Sequence, residues 1–168
     1  MKKIFLLTVL ICLPIFFVAC GQDTATLKVG DPAPDLSLVD RQGKTWVLSE
    51  LKGQVVFINF WATWCPPCLK ELPSMQKLYT ALPTDKFKML AILNNDKPVL
   101  ADFVANQKGI TIPILDDPQN LVSSKYFLTG LPETYIVDKQ GILVEKFIGP
   151  AQWDAPKYVQ MIMKYIKS

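Results

Sequence analysis

Histidine is absent from all 168 residues. That absence excludes every scheme built on imidazole: the Ser-His-Asp triad, the Cys-His pair, His-ligated zinc and covalent haem attachment. An excess of one charge is also lacking. The 18 Lys and Arg against 15 Asp and Glu give a formal charge of +3, too small for the footprint of a nucleic-acid binder, so no nucleic acid is expected as a partner. Half of the residues are apolar, a fifth are charged and 11% are aromatic, which excludes disordered and fibrous classes. The length predicts one domain. Cysteine is scarce, with four in the chain, and the positions of those four point to the chemistry.

A run long enough to span a bilayer is missing at the N-terminus. Met1, Lys2 and Lys3 make a basic start, and Ile4 to Ala19 is an apolar stretch of 16 residues, short of the roughly 20 that a span needs. This pattern reads as a secretory signal. The stretch ends in Phe17-Val18-Ala19-Cys20-Gly21, small residues before a cysteine, which resembles the lipobox of bacterial lipoproteins, with Phe17 where that family usually has leucine. The resemblance implies acylation of Cys20 and a place on the extracytoplasmic face of a bacterial membrane, as a periplasmic or cell-surface lipoprotein. An uncleaved anchor or ordinary signal cleavage nearby is the plainer alternative, and it too puts the domain outside the cytoplasm. Removing Lys2 and Lys3 leaves 16 basic against 15 acidic residues, so membrane contact is expected through lipid, not charge. The expected organisation is a signal peptide over 1–19, a lipid-anchored linker over 20–28 and one domain over 29–168.

With Cys12 in the signal and Cys20 given to lipid, only Cys65 and Cys68 remain for the folded domain, and a structural disulfide framework is excluded. Two cysteines without histidine cannot complete a four-ligand zinc site. Two residues apart in a compartment that permits disulfides, they point to redox chemistry. A periplasmic copper-handling module, with the two thiolates on a soft metal, is the alternative; the lack of histidine and of a methionine beside the pair argues against it.

Val55 to Phe60 is a continuous apolar run that predicts a strand buried on both faces. From Pro66 onward Leu69, Leu72, Met75, Leu78 and Leu82 recur at three- or four-residue spacing, which predicts a helix. The pair therefore sits at a strand-to-helix junction, with Cys65 at the N-cap and Pro66 at the first helical position, where a missing N–H costs nothing. The positive end of the helix dipole and the free amides there favour a thiolate at Cys65, the expected nucleophile. Cys68, one turn into the helix, is expected to resolve the mixed disulfide.

Phe60-Trp61-Ala62-Thr63-Trp64-Cys65-Pro66-Pro67-Cys68 resembles the active-site stretch of thioredoxin-fold proteins. Gly30-Asp31-Pro32-Ala33-Pro34-Asp35-Leu36, followed by Asp40-Arg41-Gln42-Gly43-Lys44, resembles the N-terminal hairpin of the TlpA and ResA group and of peroxiredoxins. Gly130-Leu131-Pro132-Glu133-Thr134-Tyr135-Ile136-Val137-Asp138 resembles that group's cis-proline segment and following strand. The peroxiredoxin motif Pro-x-x-x-Thr-x-x-Cys would need proline at Ile58 and threonine at Ala62, so the resemblance settles on the TlpA/ResA type, which is DsbE-like. It implies an α/β thioredoxin-like fold, a central mixed sheet flanked by helices, with an N-terminal β-hairpin extension. It also implies a membrane-tethered thiol-disulfide oxidoreductase without a cofactor. The implied partners are a protein disulfide substrate such as apocytochrome c, and a membrane electron donor that no residue names.

Thioredoxin itself carries a buried acid six positions before the first cysteine; here Asn59 stands there, as in the ResA type. Glu71, three residues after Cys68, matches the glutamate that follows the second cysteine in that type, and the spacing puts it on the Cys68 face of the helix. It is the expected proton-handling group, a solvated helix glutamate being the alternative. Trp61 is expected in the core. Trp64 is expected to wall one side of Cys65 and offer apolar surface to a substrate chain, while Leu131 and Pro132 offer backbone along which that chain adds as a strand. Pro66 and Pro67 remove two N–H groups from the first turn, leaving the Cys68 amide as the nearest donor to the Cys65 sulfur. A thiolate held so weakly makes a weak oxidant, with a potential nearer thioredoxin's roughly −270 mV than DsbA's roughly −120 mV.

Elsewhere the pattern predicts a hairpin from Leu36 to Val39 and Thr45 to Leu48, strands over 88–93 and 112–115, and a helix over 98–107, implying two βαβ crossovers. A helical turn or two is expected over 119–126. A second hairpin, 134–137 with 142–148, precedes an amphipathic helix ending near Lys167. Pro73 is expected to kink the active-site helix.

Overall fold

A computed structural model describes residues 26–168; the signal segment, Cys20 and most of the expected linker lie outside the described residues. The elements in chain order are β1 (Ser37–Val39), β2 (Thr45–Val47), a 3-10 turn (Leu48–Leu51), β3 (Val55–Trp61), α1 (Pro66–Ala81), β4 (Phe87–Asn94), α2 (Pro98–Lys108), β5 (Ile114–Asp117), α3 (Leu121–Lys125), β6 (Glu133–Val137), β7 (Leu143–Ile148) and α4 (Pro156–Lys167). The strands β3 to β7 form one sheet in the order β5-β4-β3-β6-β7, and β1 pairs with β2 in a separate hairpin. β3 is parallel to β4 and β4 to β5, whereas β6 runs antiparallel to both β3 and β7. This is the mixed thioredoxin-like sheet with its hairpin extension, and α1 and α2 are the two expected crossovers.

All seven residues of β3 are buried, because both faces of the sheet are covered. Strand alternation divides them. Val55, Phe57 and Trp61 pack with α1 and α4 residues such as Leu72, Met75 and Ile162, and with Trp153. Val56, Ile58 and Phe60 pack on the other face with Leu36 and Trp46 from the hairpin, and with Val122, Tyr126 and Tyr135. Phe57 meets Phe87 and Trp153 edge to face, with ring centroids 6.5 and 4.8 Å apart. α1 continues through Pro73 for 16 residues.

The hairpin is tied to the sheet by Arg41. Its guanidinium donates to both oxygens of Asp102 on α2 (2.9 and 2.6 Å) and to Asp116 on β5 (2.7 Å), a planar fork-to-carboxylate match with a second acceptor. Asp40 organises the turn by accepting from the Gln42 and Lys44 amides and from the Trp46 indole. Gly43, at φ +82°, takes the left-handed position there at no steric cost.

β5 begins two residues later than its apolar pattern predicts. Pro113 has no N–H to place in a ladder, so it contributes only its carbonyl, which accepts from the Ala91 amide at 2.9 Å, and regular pairing starts at Ile114. A buried aromatic at the centre of the sheet should dominate stability: Phe57→Ala should lower the unfolding free energy by about 3–5 kcal/mol, measured by urea denaturation of the oxidised protein.

Candidate active site

β3 ends at Trp61 and α1 begins at Pro66, so four residues deliver the first cysteine to the edge of the sheet. The short connection is pinned where Asp96 accepts from the Thr63 amide and hydroxyl at 2.5 and 2.6 Å. Cys65 is the N-cap of α1, with φ −101° and ψ 96°, and its sulfur accepts from the Cys68 amide at 3.3 Å. That is the single donor left after two prolines. Cys65 and Cys68 form a disulfide with Cα atoms 5.3 Å apart. Both cysteines are buried, Cys68 fully and Cys65 with 4% of its surface exposed, so the N-cap residue is the more accessible of the two.

Glu71 lies one turn below Cys68 and is 3% exposed, not a solvated helix residue. Asn59 Nδ2 donates to its Oε1 at 2.9 Å, while the Ala151 amide (3.1 Å) and the Trp153 indole (3.0 Å) donate to Oε2. All three donors are neutral. Burial pushes its carboxyl above the ordinary value of 4.5, and these hydrogen bonds from Ala151, Trp153 and Asn59 offset only part of that. Asn59 Nδ2 also donates to Thr134 Oγ1 at 2.9 Å, and Asn59 Oδ1 is buried without a partner among the described residues.

A second buried glutamate, Glu133, shows the opposite balance. Its burial raises the carboxyl, but the Thr129 hydroxyl and amide, the Tyr135 hydroxyl and the Lys146 ammonium together hold it below the ordinary value. Glu133 Oε1 accepts from Thr129 and from the Gly130 amide, and Oε2 lies 3.4 Å from Lys146 Nζ. Glu133 therefore stays charged and clasps the backbone leading to Pro132, while Glu71 has no cation beside it among the described residues and burial disfavours its charge.

Trp64 stands at the rim, 59% exposed, its indole donating to the Asn95 carbonyl at 3.3 Å. Trp61 is in the core. The Leu131–Pro132 peptide is cis, and Leu131 packs against the core cluster that contains both sulfurs. The structure thus gathers Cys65, Cys68 and Glu71 along one helix, with Trp64 and the Leu131–Pro132 segment at the mouth. Sequence reasoning missed Trp153 and Ala151, which come from 82 and 80 residues away with no local signal. It also missed the duty of Glu133, although that residue sits in a segment the motifs single out. Among the described residues no group of three or more His, Cys, Asp or Glu side chains gathers as a metal would require.

Reversible closure of one disulfide at the edge of a thioredoxin-like sheet is the chemistry such an arrangement performs, which places the protein among the thiol-disulfide oxidoreductases. Its relatives agree. The AhpC/TSA family matches residues 29–146, and the chain belongs to that family. It is 34% identical over 127 residues to the thiol-disulfide oxidoreductase ResA of Bacillus thuringiensis (strain Al Hakam), covering 76% of this chain and 73% of ResA. The solved thiol:disulfide interchange protein of the thioredoxin family from Chlorobium tepidum TLS superposes with a TM-score of 0.70 at 28% identity, over 83% of this chain and 99% of that one. The exposed lipoprotein thioredoxin Etrx1 from Streptococcus pneumoniae strain TIGR4 superposes with a TM-score of 0.65 at 29% identity, over 78% and 99% of the two chains.

The burial of Glu71 has a signed consequence. A carboxyl titrating above 4.5 when folded contributes stability that is full below that unfolded value and is lost as pH rises through the raised one. Glu71→Gln cannot titrate, and rotation of the Asn59 amide would let Oδ1 accept from the new side-chain amide. The unfolding free energy of the oxidised variant should therefore improve relative to the parent protein as pH rises from about 4 to 8, read by urea denaturation at each pH; a difference independent of pH would refute the assignment.

Proposed function

We propose that the protein reduces disulfides of secreted proteins on the extracytoplasmic face of a bacterial membrane, held there by lipid on Cys20. The Cys65 thiolate attacks one sulfur of the substrate disulfide. The substrate S–S bond breaks, its other sulfur leaves and takes a proton, and a mixed disulfide joins Cys65 to the substrate. Cys68 then loses its proton, attacks the Cys65 sulfur and closes the Cys65–Cys68 bond, releasing the second substrate sulfur as a thiolate. The substrate gains two electrons, and a membrane dithiol donor restores the protein.

The observation that carries this reading is the asymmetry of the pair: one sulfur at the rim on a helix N-terminus, the other enclosed above a carboxyl with no counter-charge. Glu71 receives the Cys68 proton. Once protonated it needs an acceptor, and the unpartnered Asn59 Oδ1 supplies one when the Asn59 amide turns over. Trp64, Leu131 and Pro132 border the substrate chain, which adds along the backbone beside β6. With a single amide on the Cys65 sulfur the thiolate is weakly held, which favours a reductant's potential. An apocytochrome c haem-binding motif is the substrate that the resemblance to the TlpA/ResA group implies. The anchor is supported by the Cys20 motif and by similarity to a protein described as an exposed lipoprotein.

Two measurements test the reading. Cys68→Ser should trap substrate proteins as mixed disulfides on Cys65, separable on non-reducing gels, whereas Cys65→Ser should trap none; trapping by the second variant alone would reverse the roles. Cys20→Ala should abolish labelled palmitate incorporation and release the domain from membranes with its fold unchanged.

A further inference from the structure

Two N–H groups converge on one oxygen of Glu71: the Trp153 indole donates to Oε2 at 3.0 Å and the Ala151 amide donates to it at 3.1 Å. Neither group can accept a hydrogen bond. A proton placed on Oε2 would therefore point at donors, and it would leave an indole and an amide without partners inside the protein, where an unmade hydrogen bond is costly. Oε1 is different. Its one hydrogen-bond partner among the described residues is Asn59 Nδ2 at 2.9 Å, and a side-chain amide presents oxygen in place of nitrogen by turning over. The two oxygens of this carboxyl are thus inequivalent, and the loop that follows β7 makes them so.

Trp153 is held too firmly to follow the carboxyl. The side chain is fully buried, and its ring is enclosed by Phe57, Phe147 and Tyr158 at centroid distances of 4.8, 5.3 and 4.7 Å. Its main-chain amide donates to Ser74 Oγ at 3.1 Å, and the Ser74 hydroxyl donates to the Glu71 carbonyl at 2.8 Å. The loop is therefore bound to the same turn of α1 that carries the carboxyl. Packing against three rings would be served by another aromatic side chain; the nitrogen aimed at Oε2 is what packing leaves unexplained.

No other charge competes for this carboxyl. Cys68 on α1, Asn59 on β3 and the loop residues Ala151 and Trp153 meet it, and of these only Cys68, once reduced, titrates; Cys65 is a further turn away. Lys70, next in sequence, is exposed. Asp154, next to Trp153, pairs with Lys77 at 3.3 Å. Glu133 lies on the opposite face of β6 from Thr134, the residue that meets Asn59. Protonation of Glu71 is thus governed by burial and by three neutral donors.

We propose that Trp153 is a positioning residue for disulfide exchange: its indole reserves Oε2, so that the proton leaving Cys68 is taken by Oε1, on the side shared with Asn59. In that step the Cys68 S–H bond breaks, an O–H bond forms at Oε1, and the negative charge passes to the sulfur before it attacks. The inference rests on the reading that Glu71 takes the Cys68 proton, and it adds a control that acts through Glu71 from 82 residues away.

The first measurement is made on the unaltered oxidised protein, labelled with nitrogen-15, whose four tryptophan indoles give N–H signals. Trp61 has no acceptor among the described residues and Trp64 meets a carbonyl, so only Trp46 and Trp153 should follow a carboxyl. Trp46 donates to Asp40 at 2.7 Å, and despite burial that carboxyl is held below its ordinary value of 3.8 by the Trp46 indole and the Lys44 and Gln42 amides. The Trp153 signal should move with a midpoint above 4.5, and the movement should vanish in Glu71→Gln. A Trp153 signal that ignores pH, or one that still moves in Glu71→Gln, overturns the proposal.

The second measurement follows reaction of the reduced protein with excess dithiobis(nitrobenzoate), where release of the second thionitrobenzoate reports attack by Cys68. Its rate should rise with pH along a limb set by Glu71. Trp153→Phe keeps an aromatic ring and removes one donor to the carboxylate, so it should move that limb up by about one pH unit. In Glu71→Gln the limb should disappear, and adding Trp153→Phe to that variant should change the profile no further. Phe147→Leu, which alters the packing of Trp153 without removing a hydrogen bond to Glu71, should lower stability and leave the limb in place. A limb moved equally by Phe147→Leu, or unmoved by Trp153→Phe while Glu71→Gln removes it, overturns the role of Trp153 alone. A limb that Glu71→Gln leaves intact overturns the proton reading and the positioning role together.

Discussion

Seven consecutive residues of β3 are shut off from water on both faces of the sheet, and the one strongly polar side chain among them, Asn59, must find its partners inside the protein. That constraint connects the fold to the chemistry. The apolar members of the strand hold the two cores together, and its end delivers Cys65 to the edge of the sheet. Asn59 reaches Glu71 on α1 and Thr134 on β6 with one nitrogen, so the helix that bears the cysteines and the strand that follows Pro132 are locked to the same central amide.

Two buried glutamates show how surroundings assign tasks to one residue type. Glu133 has hydroxyl and amide donors plus an ammonium group, and stays ionised as a clasp on the loop before Pro132. Glu71 has three neutral donors and no cation, and burial disfavours its charge. The proton exchange proposed between Glu71 and Cys68 is favoured when the carboxyl's affinity for protons comes closer to that of a thiol, and desolvation moves it that way. The loop that closes over it, bringing Ala151 and Trp153, also brings an indole that packs against Phe57 at 4.8 Å. The site is thus built into the core, not laid on the surface.

The sulfurs, Glu71 and Asn59 belong to β3 and α1, rigid elements buried on several sides. The segment from α3 to β6 lies nearer solvent, and Phe127 and Asn120 hold left-handed backbone there. Loops positioned by a rigid scaffold tolerate variation that a packed core does not.

The amino-acid sequence by itself determined the sheet-and-helix order, the junction at which Cys65 and Cys68 meet, the helix face of Glu71 and the cis-proline segment, because each is written in local spacing: strand runs, three- and four-residue helical repeats, and short motifs. Trp61 in the core and Trp64 at the rim came from the same local context. Only the tertiary structure decided that Glu71 is buried and which groups surround it, since Ala151 and Trp153 lie some 80 residues away and no periodicity links them to α1. Glu133 is held ionised chiefly by Thr129 and Tyr135, which are close in sequence, with Lys146 across the β6–β7 pairing adding least, whereas Asn94 reaches Asn120 and Ser123 across 26 and 29 residues. Hydrogen bonding and desolvation act through space, and only folding brings such partners within reach.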